Sequence, residues 1–215
     1  MHITKWAAMA AIVVGLVAIP SAQDPVPAAT FTAITDAAPN AFFDAALTQV
    51  DATDRNRLVI GFNSGIDLAT FRSLDFRAST ASFGRPSAMD TIKMNVIAPN
   101  GYYIATVTYT QAGTGSISGT GRAAGGTQWV VGDDALNLKQ FSTDPDLTST
   151  IDISAKVLTS VPVSITNSLF VFSTPSLGSA EVAISSADVA VTLLPCQRQG
   201  GGKGSGGGKN KECQA

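Results

Sequence analysis

The chain has 215 residues and a formal net charge of −2, with charged residues at only 14% of positions. This length suits one domain with flanking tails, and the abundance of Ser, Thr, Ala and Gly favours a sandwich of short strands over a helical bundle. Residues 23–195 hold nine Lys and Arg against 15 Asp and Glu, whereas residues 196–215 hold four against one. Because the domain is acidic, we expect no nucleic-acid partner for it.

Residues 1–22 have the layout of a secretory signal peptide. Lys5 precedes an apolar run at positions 6–19, and small residues follow it. The alternative is a membrane anchor, but the run is shorter than the roughly 20 residues that a spanning helix needs. Cleavage after Ala22 and cleavage after Ala28 both fit the sequence. We therefore predict a secreted or extracellular protein, in the periplasm or at the cell surface as alternatives, with no stable membrane insertion once the signal is removed.

Residues 23–39 are rich in Pro and Ala and are predicted to form an extended entry segment. Asn40 is suited to cap a short helix. The apolar residues after it recur at the i, i+4 spacing of one helix face: Phe43 with Leu47, and Ala46 with Val50. The sequence therefore predicts one short N-terminal helix at the start of the domain.

Residues 40–195 are predicted to form a single all-β domain. Alternating apolar and polar residues between Gly, Pro, Asn and Asp turns favour an antiparallel β-sandwich over a parallel sheet. The predicted strands lie at 57–62, 71–79, 91–98, 148–158, 163–173 and 180–194. In the last strand the alternation changes phase near Ser185, which indicates a bulge or a strand that changes sheets.

The clearest strand pattern lies between residues 100 and 131. After an Asn100-Gly101 turn, residues 102–110 alternate in β-favouring types. We predict a turn at 111–115, a second strand at 116–122, a tight turn at Gly125-Gly126 and a third strand starting at Trp129. This reading gives a three-stranded antiparallel meander.

Three segments together resemble the N-terminal half of exported bacterial jelly-roll sandwiches: FFDAALTQV at 42–50, LVIGFNSGIDLATFRSLDFRAST at 58–80, and the strand at 103–109. In those proteins a short helix ends in an Ala-Leu pair, a strand gives way to a Gly turn, and a Phe-bearing strand follows. The resemblance implies a jelly-roll fold at the cell surface or in the matrix, where many such proteins are assigned as carbohydrate-binding.

Histidine is absent from the predicted mature protein, because the only one is His2. This removes Ser-His-Asp and Cys-His nucleophile pairs, His-ligated metals and His acid-base catalysis. Carboxylates remain, but Glu181 is the only Glu of the domain and no Asp pair is marked by the sequence. We predict a non-catalytic binding or structural component of the envelope or matrix; the alternative is a polysaccharide-acting enzyme that uses Asp carboxylates.

Acidic loop residues are candidates for binding calcium, the only cofactor that we consider, because this cation prefers oxygen ligands. The preferred set is Asp133, Asp134, Asp144 and Asp146, and the other set is Asp51, Asp54 and Asn56. The alternative for both sets is that the Asp side chains initiate turns.

Aromatic side chains are candidates for a sugar-binding platform, because flat rings stack on pyranose faces. Trp129, Tyr102 and Tyr103 are the predicted residues, and the two adjacent Tyr cannot both point into one core. The alternative is that Trp129 and the inward Tyr belong to the core. The Phe residues are predicted to be core residues: Phe62, Phe71, Phe76, Phe170 and Phe172.

The C-terminal residues 196–215 are rich in Gly and Lys and are predicted to be disordered. Cys196 and Cys213 are the only cysteines, so an exported chain should pair them in a disulfide, either within the chain or between two chains. The Gly and Lys residues do not have the spacing of a phosphate-binding loop. We expect this basic tail to contact acidic polysaccharide or a negatively charged envelope surface. The oligomeric state stays open.

Overall fold

The computed structural model describes residues 27–36, 42–63, 66–67, 72–73, 76–80, 87–133, 135–173, 178–196 and 213. Within these residues the protein is all-β, which confirms the predicted class. In chain order the strands are β1 (Thr30–Asp36), β2 (Phe43–Val50), β3 (Arg57–Phe62), β4 (Ile66–Asp67), β5 (Arg72–Ser73), β6 (Arg77–Ser79), β7 (Ser87–Ile97), β8 (Tyr102–Gly119), β9 (Arg122–Val131), β10 (Ala135–Phe141), β11 (Leu147–Asp152), β12 (Ser160–Phe172) and β13 (Gly178–Pro195). The predicted signal peptide and most of the predicted tail lie outside the described residues.

Two antiparallel sheets form the sandwich. Sheet I has the strand order β1-β7-β12-β9-β10, and sheet II has the order β11-β8-β13-β3-β2, with β6 paired to β13 beside this path. β4 and β5 pair only with each other. The predicted antiparallel sandwich is thus confirmed, while its jelly-roll type stays a prediction.

The core lies between the two sheets and follows from strand alternation. On β7 and β12 every second residue is buried, including Ile92, Val96, Val163 and Ile165. Apolar residues at these positions share one face of each strand, so burying them removes a continuous surface from water. Both sheets contribute to the same buried cluster, which also holds Trp129.

An aromatic cluster fills the part of the core near β2, β3 and β6. It consists of Phe42, Phe43, Phe62 and Phe76, with neighbouring ring centroids 5.1 to 6.0 Å apart. Tilted and edge-on pairs at these separations add to the gain from burial. Phe76 is therefore a core residue as predicted, and Phe62 packs against the core while staying partly exposed.

The predicted N-terminal helix is wrong for the residues that the structure describes, because Phe43–Val50 form strand β2. Phe43 is buried, whereas Leu47 is 57% exposed, so the two do not share a face. The Asp44 side chain accepts hydrogen bonds from the backbone N–H groups of Ala46 and Leu47, which bends the strand where its pairing with β3 shifts register. The apolar residues four positions apart, which predicted a helix, therefore lie on a strand with a register shift.

The predicted three-stranded meander is also wrong. The Asn100-Gly101 turn is present, but β8 continues without a turn through residues 111–115, and Gly125-Gly126 lie inside β9. β8 belongs to sheet II and β9 to sheet I, so the chain crosses between sheets after Gly119. The glycines of this region serve close approaches between segments, as the 2.0 Å between a Cβ built on Gly113 and the Ala183 carbonyl oxygen indicates.

Several other sequence predictions can be compared with the strands. β3 has the predicted bounds, and β13 has a register shift between Ile184 and Ser186, which confirms the predicted bulge near Ser185. Part of the predicted extended entry segment is strand β1, paired with β7. β10 was not predicted, and the predicted strand at 148–158 ends at Asp152.

Candidate functional site

The three aromatic residues predicted for a sugar platform do not come together on a surface. Trp129 is fully buried, with its ring centroid 6.2 Å from that of Tyr109. Tyr103 is buried in a different, smaller cluster, and Tyr102 is partly buried against the main core. Trp129 and Tyr103 therefore present no open ring face to a ligand.

The predicted disulfide is present and joins Cys196 to Cys213 within one chain, with the two Cα atoms 5.8 Å apart. Both cysteines pack against a small buried cluster of Tyr103, Ala105 and Val157. The disulfide thus covers apolar side chains at one end of β8 and β13, in addition to closing the Gly- and Lys-rich segment. A disulfide is compatible with an extracellular location.

The preferred calcium residues are not brought together. Asp133 follows β9 and precedes β10, while Asp144 and Asp146 follow β10. Ala135 pairs with Val131 and Phe141 with Gly125, so the two loops lie at opposite ends of β10, roughly 20 Å apart for a strand of this length. Asp134 lies outside the described residues, and those that are described contain no cluster of three or more His, Cys, Asp or Glu.

The second acidic set forms a turn. The Asp51 carboxylate accepts hydrogen bonds from the Thr53 hydroxyl and from the N–H groups of Thr53 and Asp54, and these bonds lower the pKa of Asp51. Asn56 accepts from the N–H of Ala29 and donates to the carbonyl of Pro27. The side chains at this turn thus bind the backbone and fix the start of the described chain.

Other described carboxylates also have structural partners. Asp188 pairs with Arg57 at 2.8 Å, and this hydrogen bond raises the pKa of Arg57. Asp146 accepts the N–H of Gly113, and Asp152 accepts the N–H of Ser154. The contacts of Asp146 and Asp152 thus satisfy backbone N–H donors.

Among the residues that the structure describes, the most exposed aromatic rings lie on the outer face of sheet I. Phe170 is 54% exposed and Phe172 is 58% exposed, although both were predicted to be core residues. They alternate along β12 with Leu169 and Val171, which are buried in the core, so the pleat turns the two Phe rings outward. The run SLFVF carried this signal, because four large residues in succession on a strand cannot all face one side.

Small and polar neighbours leave these rings open. Phe170 is paired in register with Ser87 on one side and Ala124 on the other, and Phe172 is paired with Arg122. The next rung runs across four strands as Met89, Ser168, Gly126 and Gln140. Met89 is 68% exposed. Ser87 and Ala124 are too small to cover the Phe170 ring, and both Phe side chains stay more than half exposed.

A shallow groove of about 400 Å³ lies beside Phe170 on this face. Its floor includes Gly126 and Ser168, and Gln140 lines its far side. Further along the same face, exposed Gln128 is paired with Thr166, whose hydroxyl is 2.7 Å from that of Thr91. We call this surface the Phe170 face, defined by the outward-facing residues of β7, β12, β9 and Gln140.

None of the described residues belongs to a helix that is long and apolar enough to cross a membrane. Comparison with known proteins gives no match to a family model, a curated protein or a solved structure.

Proposed function

We propose that this protein is an exported, non-catalytic component of the cell envelope or extracellular matrix that binds polysaccharide on the Phe170 face. The observation that supports the proposal is the pair of Phe rings more than half exposed on a flat strand surface. Large exposed apolar patches rimmed by polar groups mark interaction sites. Two rings two residues apart on one strand are spaced by roughly 7 Å, which suits contact with successive units of an extended chain.

The chemistry of the neighbouring residues favours a sugar chain as the ligand. An aromatic ring stacks on the apolar face of a pyranose, while the hydroxyls at its edge need hydrogen-bond partners. Gln140 and Ser168 line the groove with an amide and a hydroxyl, and the exposed amide of Gln128 lies further along the same face. The proposal includes a second, electrostatic contact, between the basic residues of the 197–212 segment and an acidic polysaccharide or envelope surface.

The test is affinity electrophoresis of the purified protein through gels that contain soluble polysaccharides of different backbone and charge. We expect retention by at least one neutral polysaccharide, and loss of retention in the double variant Phe170→Leu, Phe172→Leu. Leu keeps the apolar character of these positions but removes the flat ring. Phe170→Tyr, which keeps the ring, should retain binding.

Ile117→Ala is the matched control, because Ile117 is an exposed apolar residue of sheet II that lies outside the Phe170 face. It should leave retention unchanged. Equal retention of the double Leu variant and the unmodified protein would contradict stacking on these rings. The enzyme alternative stays a prediction, and no contact among the described carboxylates favours it over binding.

A further inference from the structure

Sheet II splits at the bulge of β13 and leaves a cleft on its outer side. β3 pairs with β13 at residues 188–190, whereas β6 pairs with the same edge of β13 at residues 181–183. Between these two pairings β13 has its register shift, near the exposed Ser185. Bulges are frequent beside functional sites because they interrupt strand pairing and re-aim side chains.

The cleft has a volume of about 420 Å³ and a mixed lining. Arg77, Ala183 and Thr114 form one rung across β6, β13 and β8, so the small Ala183 lies between two longer polar side chains. Phe62, Asn63 and Ser185 also line the cleft, together with the buried core residues Phe76 and Ile184. The lining therefore contains two aromatic residues, one cation, one amide and two hydroxyls, which are kinds of group that orient small polar ligands.

Arg77 is poorly paired for a guanidinium group. Its Nη1 lies 3.7 Å from Glu181 Oε1, which is beyond hydrogen-bond distance. Its Nε is buried and has no hydrogen-bond partner in the described part of the chain, although the side chain as a whole is 42% exposed. Arg77 therefore lines the cleft and carries a donor that no described group satisfies.

We propose that this cleft binds the carboxylate of a hexuronate unit in an acidic polysaccharide. The Nε and Nη donors of one Arg match the two oxygens of a planar carboxylate. Glu181 beside this cation disfavours a dianion such as phosphate more than a singly charged carboxylate, because its repulsion grows with the charge of the ligand. Thr114 supplies a hydroxyl for the sugar, Ser185, whose hydroxyl donates to the Ala112 carbonyl, keeps an acceptor for a sugar hydroxyl, and Phe62 supplies an apolar wall for the sugar ring.

This cleft and the Phe170 face are independent sites, because they lie on the outer sides of different sheets. The hexuronate proposal therefore stands whether or not the Phe170 face binds a neutral chain. If both sites bind, one molecule holds two polysaccharide chains on opposite sides and acts as a cross-link between them.

Calorimetric titration with a galacturonate oligosaccharide and with its carboxyl-reduced counterpart tests the proposal. We expect binding of the acidic form alone. Arg77→Gln should weaken it at least about tenfold, the loss that one charge-assisted contact accounts for. Arg77→Lys, which keeps the charge but loses the paired donors, should also weaken it, whereas Glu181→Gln should strengthen it.

Arg55→Gln is the matched control, because Arg55 is an exposed Arg of the turn before β3 and lies outside both proposed sites, and it should leave this affinity unchanged. The thermal unfolding midpoint of Arg77→Gln confirms that the variant is folded. Equal affinity of Arg77→Gln and the unmodified protein, equal binding of the carboxyl-reduced sugar, or equal binding of a Glu-rich peptide would each overturn the assignment. The double Leu variant of the Phe170 face should bind the acidic oligosaccharide normally.

Discussion

Asp90 is a buried carboxylate that joins the two sheets at one edge of the sandwich. Its Oδ2 accepts the N–H of Phe43 at 2.9 Å, and its Oδ1 accepts the N–H of Thr91 at 2.7 Å. Phe43 belongs to sheet II and Asp90 to sheet I, so the first bond crosses between the sheets. Burial raises the pKa of Asp90 above its usual value, and the charge of Asp36 acts in the same direction, while the N–H donors act against both.

This raised pKa predicts how stability depends on pH. The native state holds the Asp90 proton more tightly than the unfolded chain does, so this residue's contribution to the free energy of unfolding falls as pH rises above 3.8 toward the native pKa. Asp90→Asn removes the titration. We measure the free energy of unfolding in urea as the pH rises from about 3 to about 6. Over this rise we expect the unmodified protein to lose stability relative to Asp90→Asn.

The test is how the stability difference between the two proteins changes with pH, not its size at one pH. In Asp90→Asn the amide next to the Thr91 N–H lowers the free energy of unfolding by an amount that does not change with pH. Asp51→Asn is the matched control of opposite sign. The Asp51 pKa is lowered, so its stabilising contribution is lost as pH falls, and the unmodified protein should lose stability relative to Asp51→Asn toward low pH. A difference between Asp90→Asn and the unmodified protein that is flat across this range would contradict the assigned shift.

At the scale of elements, the second half of β8 depends on glycines that let another segment cross it. A Cβ built on Gly115 would lie 2.5 Å from the carbonyl oxygen of Thr143, and the N–H of Gly113 donates to Asp146 Oδ1. Residues 142–146 therefore cover the edge that β8 exposes beyond its pairing with β11, which ends at Gln111. Covering a free edge in this way limits pairing with other chains.

Gly115→Ala should force the 142–146 segment away from β8, because the obstructing atoms are backbone rather than a flexible side chain. We expect a loss of about 1–3 kcal/mol in the free energy of unfolding, typical of overpacking. Chemical denaturation measures it, with Ser116→Ala as the control at the next, exposed position. A loss of the same size in both variants would show that the close approach does not matter.

The same glycines explain which elements were predictable from the sequence. Alternation over six or more residues located β3, β7, β12 and β13, because each of these strands keeps one face in the core. Residues 111–115 of β8 were predicted as a turn, since Gly113 and Gly115 have the composition of a loop. They form a strand because they pair with β13, with Gly113 opposite Ile184 and Gly115 opposite Val182, and local composition does not encode this pairing between distant segments. Likewise, the apolar residues of β2 recur four positions apart as on a helix face, although β2 is a strand that bends around Asp44.

At the scale of the whole molecule, strand pairing decided which predicted site residues could act together. The sequence assigned Trp129 to a surface or to the core without deciding, and placed Phe170 in the core. Only the pairing of β9 and β12 within sheet I, with sheet II over their inner face, buries Trp129 and leaves Phe170 in solvent. The Arg77 cleft had no sequence signal, because it arises where β3 and β6 meet one edge of β13.

A buried hydrogen-bond network joins the two sheets across the core. Gln111 Oε1 accepts from the hydroxyls of Tyr109 and Thr127 at 2.9 and 2.8 Å, and Gln111 Nε2 donates to the carbonyl of Pro145 at 2.6 Å. Asn167 Nδ2 in turn donates to the Tyr109 hydroxyl. Burial raises the pKa of Tyr109 far above its usual value, so this hydroxyl stays a donor at any physiological pH.

Gln111→Leu should therefore cost more than the loss of one side chain's packing. It leaves the hydroxyls of Tyr109 and Thr127 and the Pro145 carbonyl buried without their partner, at about 1–3 kcal/mol for each group left unsatisfied. We expect a total loss of at least about 3 kcal/mol in urea unfolding, a large share of a typical domain's stability. Thr127→Val removes one of the two hydroxyls that lose their hydrogen-bond partner in Gln111→Leu. It should therefore cost less stability in the Gln111→Leu background than in the unmodified protein. If the two losses add instead, the residues do not act as one network, and the sheets are held in register by apolar packing alone.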